Sequence, residues 1–500
     1  MGIVEAGSAG GEALIEFTYG DLNAASVDVA ARLVGAGVRP GMRVLLRVEP
    51  GFQWLAGFLG VLRMGAVVVP LDLRLTPAEF SELARRSEPA ALLSGPACEL
   101  TSIGADRDVE VRRRFVRGDE PAILVWTSGT TGTPKGVTLS LANMSYVVDE
   151  GVRAQGIGSD DRWLSILPPS HLFELCCGLL AAVSAGSTVV VLPSLLPGDI
   201  LGAMARYRIT RMVVVPMVLH GLRRHLEAEQ RRRGNAAETE PMTQLGCLKG
   251  LYCGGAPLDE GTRAWFGHQG VEIRVGYGLS EASPTVTMNT PQANRAGSVG
   301  RPLAGTEVWC PDLGPKFGGD GEILVRGPGV MTGYWDDPTA TRAAVDSRGW
   351  LHTGDLGYID DDGYLFVTGR SKSLIVLDSG KKVQPEEVEA CLRDSPHFQA
   401  VCVCGLPDAN GRDRVGAVIV PAHGGDAGLT FEEDGHTGEV RRLTRKLSGY
   451  KRPTVVEAVV GPLPTTAKAS VRRGEIARVM KLPVDDRPPW ARSLGRRPPG

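Results

Sequence analysis

The chain has 500 residues, 43% of them hydrophobic and 22% charged, with a formal net charge of −2. That length exceeds what one hydrophobic core serves, so at least two domains are expected. Near-neutrality gives no support for a nucleic-acid partner. Nine cysteines without CxxC pairs or paired histidine spacing argue against a zinc site or a disulfide framework. Residues 1–11 lack the basic start and apolar core of a signal peptide. The most apolar stretch, residues 55–70, is short for a membrane span and contains Arg63. A cytoplasmic protein with no transmembrane segment is expected.

Taken in chain order, residues 21–35 show helical spacing of Ala24, Ala25, Val27, Ala30 and Leu33, and residues 42–48 read as a strand. Residues 52–64 are helical again and 66–70 form a buried strand. Similar pairs recur at 142–156 with 163–167 and at 201–207 with 211–215. Strands alternating with helices predict an α/β fold: a large N-terminal domain of mainly parallel sheets with flanking helices. After about residue 305 the pattern changes to short strands punctuated by Gly and Asp, which predicts a small β subdomain. Residues 358–363 read as a hairpin turn. A final small α+β unit starts near Ser371, and residues 485–500, rich in Pro and Arg, predict a disordered tail.

Four segments carry chemistry. Residues 122–126 are apolar and strand-like, and they lead into 126–137, Trp-Thr-Ser-Gly-Thr-Thr-Gly-Thr-Pro-Lys-Gly-Val. Glycines there let backbone N–H groups approach an anion without a Cβ in the way, and hydroxyls and a lysine add donors. The segment suits a polyphosphate but lacks the Gly-Lys-Ser/Thr ending of a Walker A loop. Residues 276–281, Gly-Tyr-Gly-Leu-Ser-Glu, place an aromatic face between glycines, with a carboxylate four residues on that suits Mg²⁺. Residues 254–257, Gly-Gly-Ala-Pro, follow the end of a short strand. Residues 353–355, Thr-Gly-Asp, put an aspartate on a tight turn, where it can accept from both hydroxyls of a ribose.

These segments, in this order, resemble the adenylate-forming superfamily of acyl- and aryl-CoA synthetases, peptide-synthetase adenylation domains and beetle luciferases. The resemblance spans about residues 17–481. It implies that Thr127, Ser128, Gly129, Thr130, Thr131, Gly132 and Lys135 grip the triphosphate, with Thr130 also counted among the catalytic groups. It implies that Gly255, Ala256 and Pro257 contact adenine, that Tyr277 stacks on it beside Gly278, and that Ser280 keeps the hydroxyl of the usual threonine. Glu281 carries the Mg²⁺ ion, Asp355 holds the ribose, and Arg370 contacts the nucleotide. Residues 369–372, Gly-Arg-Ser-Lys, match the hinge motif, with Lys372 as the swivelling residue. The implied organisation is a large adenylation domain over 1–369, a hinge over 370–372, a small mobile lid domain over 373–481 and a disordered tail over 482–500.

The pattern departs at the C-terminal lysine. Strict register puts Ala469 and Ser470 where the family has Gly-Lys, while Lys468 lies two residues early in a Thr-x-Lys setting. Lys468 is the expected functional lysine, a cation for charge gathering on the α-phosphate. Near the acid, residues 167–174 read Leu-Pro-Pro-Ser-His-Leu-Phe-Glu. His171 is a candidate for the carboxylate pocket. Leu172 stands where amino-acid-activating members carry an aspartate, so a substrate ammonium would be left unpaired. Residues 213–217 are a candidate apolar pocket wall, and the basic run 447–453 a docking place for the phosphate of a thiol carrier.

The implied activity is ATP-dependent activation of a carboxylic acid, fatty or other acyl but not an α-amino acid. Acyl transfer to a pantetheine thiol, that of CoA, then follows. Two alternatives are a standalone ligase that loads an acyl carrier protein and a catalytically reduced acyl- or nucleotide-binding protein.

Overall fold

The computed structural model describes residues 2–5, 15–103, 118–127, 134–233, 245–311, 321–370, 375–377, 382–393, 395–407, 413–422, 435–459, 461–465, 471, 473–482 and 486–491. Ser128 to Gly132, Lys372 and Lys468 lie outside these. The chain divides into two compact units, one of residues 1–308 with 325–352 and one of 309–324 with 353–500.

The large unit holds two sheets. In the nine-stranded sheet, Gly2–Glu5, Thr188–Val191, Arg162–Ser165, Arg211–Val214, Gly250–Cys253 and Ile273–Tyr277 run parallel, and the antiparallel strands lie at the edges. In the seven-stranded sheet, Pro121–Thr127, Val67–Pro70, Arg43–Arg47 and Pro89–Ser94 are parallel neighbours. Arg43–Arg47, Val67–Pro70 and Thr188–Val191 are buried almost throughout, as strands covered on both faces must be. The α/β expectation is met.

The helices lie close to the predicted spans: Tyr19–Gly35, Phe52–Arg63, Leu141–Gln155 and Pro197–Tyr207. Ser140 and Asn143 form a capping box that starts Leu141–Gln155. Asn143 Nδ2 also donates to the carbonyls of Pro328 and Val330, fixing a later loop to that helix start. The N-terminus is built in. Ile3 and Val4 are buried in the core, and Glu5 Oε1 accepts from Phe52 N at 2.7 Å, where the helix Phe52–Arg63 starts after a glycine with no capping side chain.

From Glu307 onward the strands vary in length: Glu307–Trp309, Gly321–Arg326 and Leu365–Arg370 are short, whereas Leu351–Ile359 runs nine residues, longer than the Gly/Asp punctuation predicts. In the small unit, Phe398–Pro407, Asp413–Pro421 and Val455–Ala458 form a three-stranded sheet. Both faces are buried. Val403, Val415, Ala417 and Ile419 pack into one cluster, and Cys402, Cys404, Val418 and Val420 into another. Within the segment expected as a tail, Pro489–Ala491 forms a 3₁₀ turn. Ala491 is buried and the Trp490 carbonyl accepts from Gly461 N at 3.0 Å.

Candidate active site

The motif residues of the large unit stand at the carboxyl ends of its parallel strands, where open α/β sheets bind ligands. Thr127 ends Pro121–Thr127 and pairs with Lys135, the first residue of Lys135–Ser140. The stem of this loop is tethered. Arg86 donates to the Pro134 carbonyl at 2.9 Å and stacks over Trp126 at 4.5 Å, while the Trp335 indole donates to the Arg86 carbonyl at 3.1 Å. Neither Arg86 nor Trp335 is visible as a site residue in the sequence, because each acts through partners far along the chain.

Tyr277 ends Ile273–Tyr277, and Gly278 follows in a crowded bend. A Cβ at Gly278 would lie 1.7 Å from the Pro284 carbonyl oxygen. Ser280–Ala282 is a 3₁₀ turn that carries Glu281. Glu281 is held twice from one segment: its carbonyl accepts from Met331 N at 2.9 Å, and its Oε1 accepts from the Tyr334 hydroxyl at 2.9 Å. Tyr334 also lies beneath Lys135, whose Nζ is 4.6 Å from the ring centroid. Sequence reasoning missed Tyr334. A Gly-Tyr-Trp run after a Gly-rich loop is its only signal. Among the described residues no group of three or more His, Cys, Asp and Glu converges. A single carboxylate such as Glu281 fits magnesium, which takes most of its oxygens from nucleotide phosphates and water.

Gly254 and Gly255 follow Gly250–Cys253. Gly255 has φ +81°, a left-handed value that favours glycine, and a Cβ on Gly254 would meet the Phe173 ring at 3.1 Å. Ala256 and Pro257 lead to Asp259, which caps the helix Glu260–His268 by accepting from Thr262 N at 2.7 Å. Asp259 Oδ2 lies 2.5 Å from His220 Nε2. Burial raises the Asp259 carboxyl, but His220 and the Thr262 N–H outweigh it and hold the group well below the usual carboxylate range.

His171 and Glu174 flank the start of the run Phe173–Leu180, which is π-helical, a rare geometry concentrated at functional sites. His171 Nε2 stands 3.8 Å from Asp72 Oδ2, beyond the end of Val67–Pro70. Asp72 also takes the Arg74 guanidinium at 2.6 Å, and hydrogen bonds from Arg74 outweigh burial to lower its pKa. Glu174 is 0% exposed; its Oε1 accepts from Ser165 Oγ at 2.6 Å, and its Oε2 has no hydrogen-bond partner among the described residues. Burial pushes its pKa up to about 8, against the pull of the Ser165 hydroxyl and the Leu167 N–H. Val213 and Val214 are fully buried, whereas Met217, expected in the same wall, is half exposed. Cys176 is buried, and Cys177 is partly exposed, with Sγ 3.1 Å from Thr285 Oγ1.

In the small unit, Asp355 and Arg370 face each other across the hairpin Leu351–Ile359 with Leu365–Arg370. Arg370 Nε is 2.9 Å from Asp355 Oδ1; the aspartate side chain is 7% exposed and the arginine 61%. The hydroxyl of Thr353 donates to the Ile323 carbonyl and accepts from Asp355 N, so the Thr-Gly-Asp run, expected on a tight turn but lying within the strand Leu351–Ile359, is fixed at its first residue. Further on, Arg473 reaches Glu386 at 2.9 Å and Glu389 at 2.8 Å, a largely buried cluster. Those glutamates lie on the helix Pro385–Leu392, and here they hold the helix Arg473–Met480. In the basic run, Lys451 pairs with Glu387 at 2.8 Å, and Arg452 donates to the carbonyls of Leu447 and Arg445.

The family profile described as AMP-binding enzyme matches residues 9–335, and that described as AMP-binding enzyme C-terminal domain matches residues 372–486. The chain is 33% identical over 494 residues to feruloyl-CoA synthase of an Amycolatopsis species, covering 94% of each chain. It is 30% identical to indoleacetate–CoA ligase of Aromatoleum aromaticum, covering 95% of this chain and 96% of that one. Its fold matches ATP-bound MatB from Rhodopseudomonas palustris with a TM-score of 0.80 at 27% identity, over 96% of this chain and 95% of that one. The chain belongs to the AMP-binding enzyme family, the AMP-forming acid–thiol ligases.

Proposed function

We propose that this enzyme activates an apolar carboxylic acid with Mg-ATP, giving acyl-AMP and pyrophosphate, and passes the acyl group to the thiol of CoA with release of AMP. One observation carries the reading: a phosphate-loop lysine, Lys135, and a carboxylate, Glu281, meet on the one side chain of Tyr334 although they lie far apart in the chain. An ammonium for phosphate oxygens and a carboxylate for a cation are what a polyphosphate site requires.

In this reading the loop over 127–135 cradles the β- and γ-phosphates. Tyr277 and the backbone at Gly255–Ala256–Pro257 receive adenine, with Gly278 and Ser280 beside them. Asp355 and Arg370 take the ribose. A bound magnesium ion would neutralise phosphate charge, and Glu281 would hold it. His171 orients the acid carboxylate towards the α-phosphorus, and Lys468 meets the charge gathering there. No covalent enzyme intermediate is required, because positioning and charge neutralisation supply the rate. Arg370–Ser371–Lys372 serves as the hinge between a large domain over 1–369 and a lid over 373–481, which turns between adenylation and thioester formation.

Buried chemistry supports the acid class. Leu172 is buried where an ammonium would need a carboxylate, and Glu174 keeps its proton up to about pH 8, so it presents no charge in compensation. Leu167, Leu172 and Val213 leave an apolar surround, and relatives that act on feruloyl and indoleacetyl groups favour an aromatic acid. The test is acid-dependent ATP–pyrophosphate exchange over a panel of aryl, fatty and amino acids, followed by thioester analysis. Exchange with aryl acids and a CoA thioester are expected. Exchange with no acid would sink the ligase reading, and a thioester only on an acyl carrier protein would move it to carrier loading.

A further inference from the structure

The phosphate lysine and the cation carboxylate pose an electrostatic problem for the enzyme before ATP arrives. Opposite charges in one partly buried site attract, and a direct Lys135–Glu281 ion pair would consume both groups that the nucleotide needs. Among the described residues no such pair forms. Tyr334 stands between them instead. Its face takes the Lys135 ammonium at 4.6 Å, and its hydroxyl donates to Glu281 Oε1 at 2.9 Å. An aromatic ring can satisfy a cation and a carboxylate at once because its face is negative and its hydroxyl is a donor.

The ring has little freedom to leave this post. Gly333 and Tyr334 pair antiparallel with Thr138 and Val137, on the strand that begins at Lys135. Trp335 N donates to the Gly136 carbonyl at 2.7 Å, and Thr332 N donates to that of Thr138 at 3.0 Å. Tyr334 N donates to Thr341 Oγ1 at 2.8 Å, and Met331 N donates to the Glu281 carbonyl. Gly333, at φ +152°, permits the approach: a Cβ there would meet Thr341 Cγ2 at 3.0 Å. Thus one five-residue segment is bonded to the strand of the lysine and to the backbone of the carboxylate.

We propose that Tyr334 is a positioning residue that keeps Lys135 and Glu281 apart and ready in the nucleotide-free enzyme, so that a metal–ATP complex meets both groups unneutralised. This rests on the reading of Lys135 and Glu281 given under the proposed function. Tyr334→Phe removes the hydrogen bond to Glu281 and keeps the ring beneath Lys135, so it separates the two contacts.

Binding, measured without acid or thiol, provides the test. Mn²⁺ serves as the paramagnetic probe, and affinity for Mn²⁺·ATP is read by electron paramagnetic resonance. Affinity for metal-free ATP is read by calorimetry in chelator. Tyr334→Phe should weaken Mn²⁺·ATP binding by about tenfold or more, the loss of one hydrogen bond to a charged group, and leave metal-free ATP within about twofold. In a Glu281→Gln background, Tyr334→Phe should cause no further loss, because the two act as one unit. Unchanged Mn²⁺·ATP affinity, equal losses with and without metal, or additive losses in the double variant would each overturn the inference. Wild-type enzyme that binds no Mn²⁺·ATP would overturn the reading of the site itself, a distinguishable result.

Discussion

Glu174 is fully buried, and its carboxyl holds its proton to about pH 8, whereas in the unfolded chain it loses the proton near 4.5. Between those values the folded state binds more protons than the unfolded state, so this group's contribution to stability falls as pH rises and levels off above about 8. Glu174→Gln keeps an acceptor for Ser165 and cannot ionise. Its melting temperature relative to wild type should therefore climb between pH 4.5 and 8, measured by calorimetry; a difference that stays flat contradicts a protonated Glu174. Asp355→Asn should raise KM for ATP by about tenfold or more, since hydrogen bonds to a charged group contribute about 1.5–3 kcal/mol, with little change in KM for the acid. An unchanged KM for ATP removes Asp355 from the ribose site. At this scale the sequence offers candidates where chemistry demands a residue type at a fixed spacing, as with Tyr277, Glu281, Asp355 and Arg370; the structure pairs Asp355 with Arg370 and sets Glu281 against Tyr334. Tyr334, Arg86 and Arg473 were illegible because each is defined by partners brought near only by folding.

At the scale of elements, the helices and parallel strands could be read to within a few residues, because burial on one or both faces imposes periods of 3.6 and 2. Phe173–Leu180 was different. Its apolar run has no period that separates a π-helix from an α-helix, and at Gly178 within it an added Cβ would lie 2.9 Å from Glu174 Oε1 and 3.1 Å from Val213 Cγ2. The strand Gly2–Glu5 was also missed, since four residues carry no usable alternation and their burial depends on Thr188–Val191. The bend after Tyr277 shows an element fixed by backbone contact. With a Cβ only 1.7 Å from the Pro284 carbonyl oxygen, Gly278→Ala must displace main chain. It should cost more than about 2 kcal/mol and weaken ATP binding, read by denaturant unfolding and calorimetry; a variant as stable as wild type would show that the bend yields cheaply.

For the whole molecule, the sequence predicted two domains and an α/β architecture, and both compact units and both mixed sheets are present. The hinge proposal makes a separable demand. Proline at residue 372 restricts φ, so Lys372→Pro should retain pyrophosphate exchange yet lose thioester formation at least about tenfold; equal loss of both steps would deny a swivel there. The central claim is that acid is joined to AMP before it meets a thiol. Its most direct test is a rapid-quench single turnover with enzyme in excess over ATP, a competent aryl acid and no CoA, resolved by chromatography. Acyl-AMP and pyrophosphate are expected in equal amounts, with conversion of that acyl-AMP to acyl-CoA and AMP when CoA is added. Formation of ADP and phosphate, or no acyl-AMP with any acid, would contradict it.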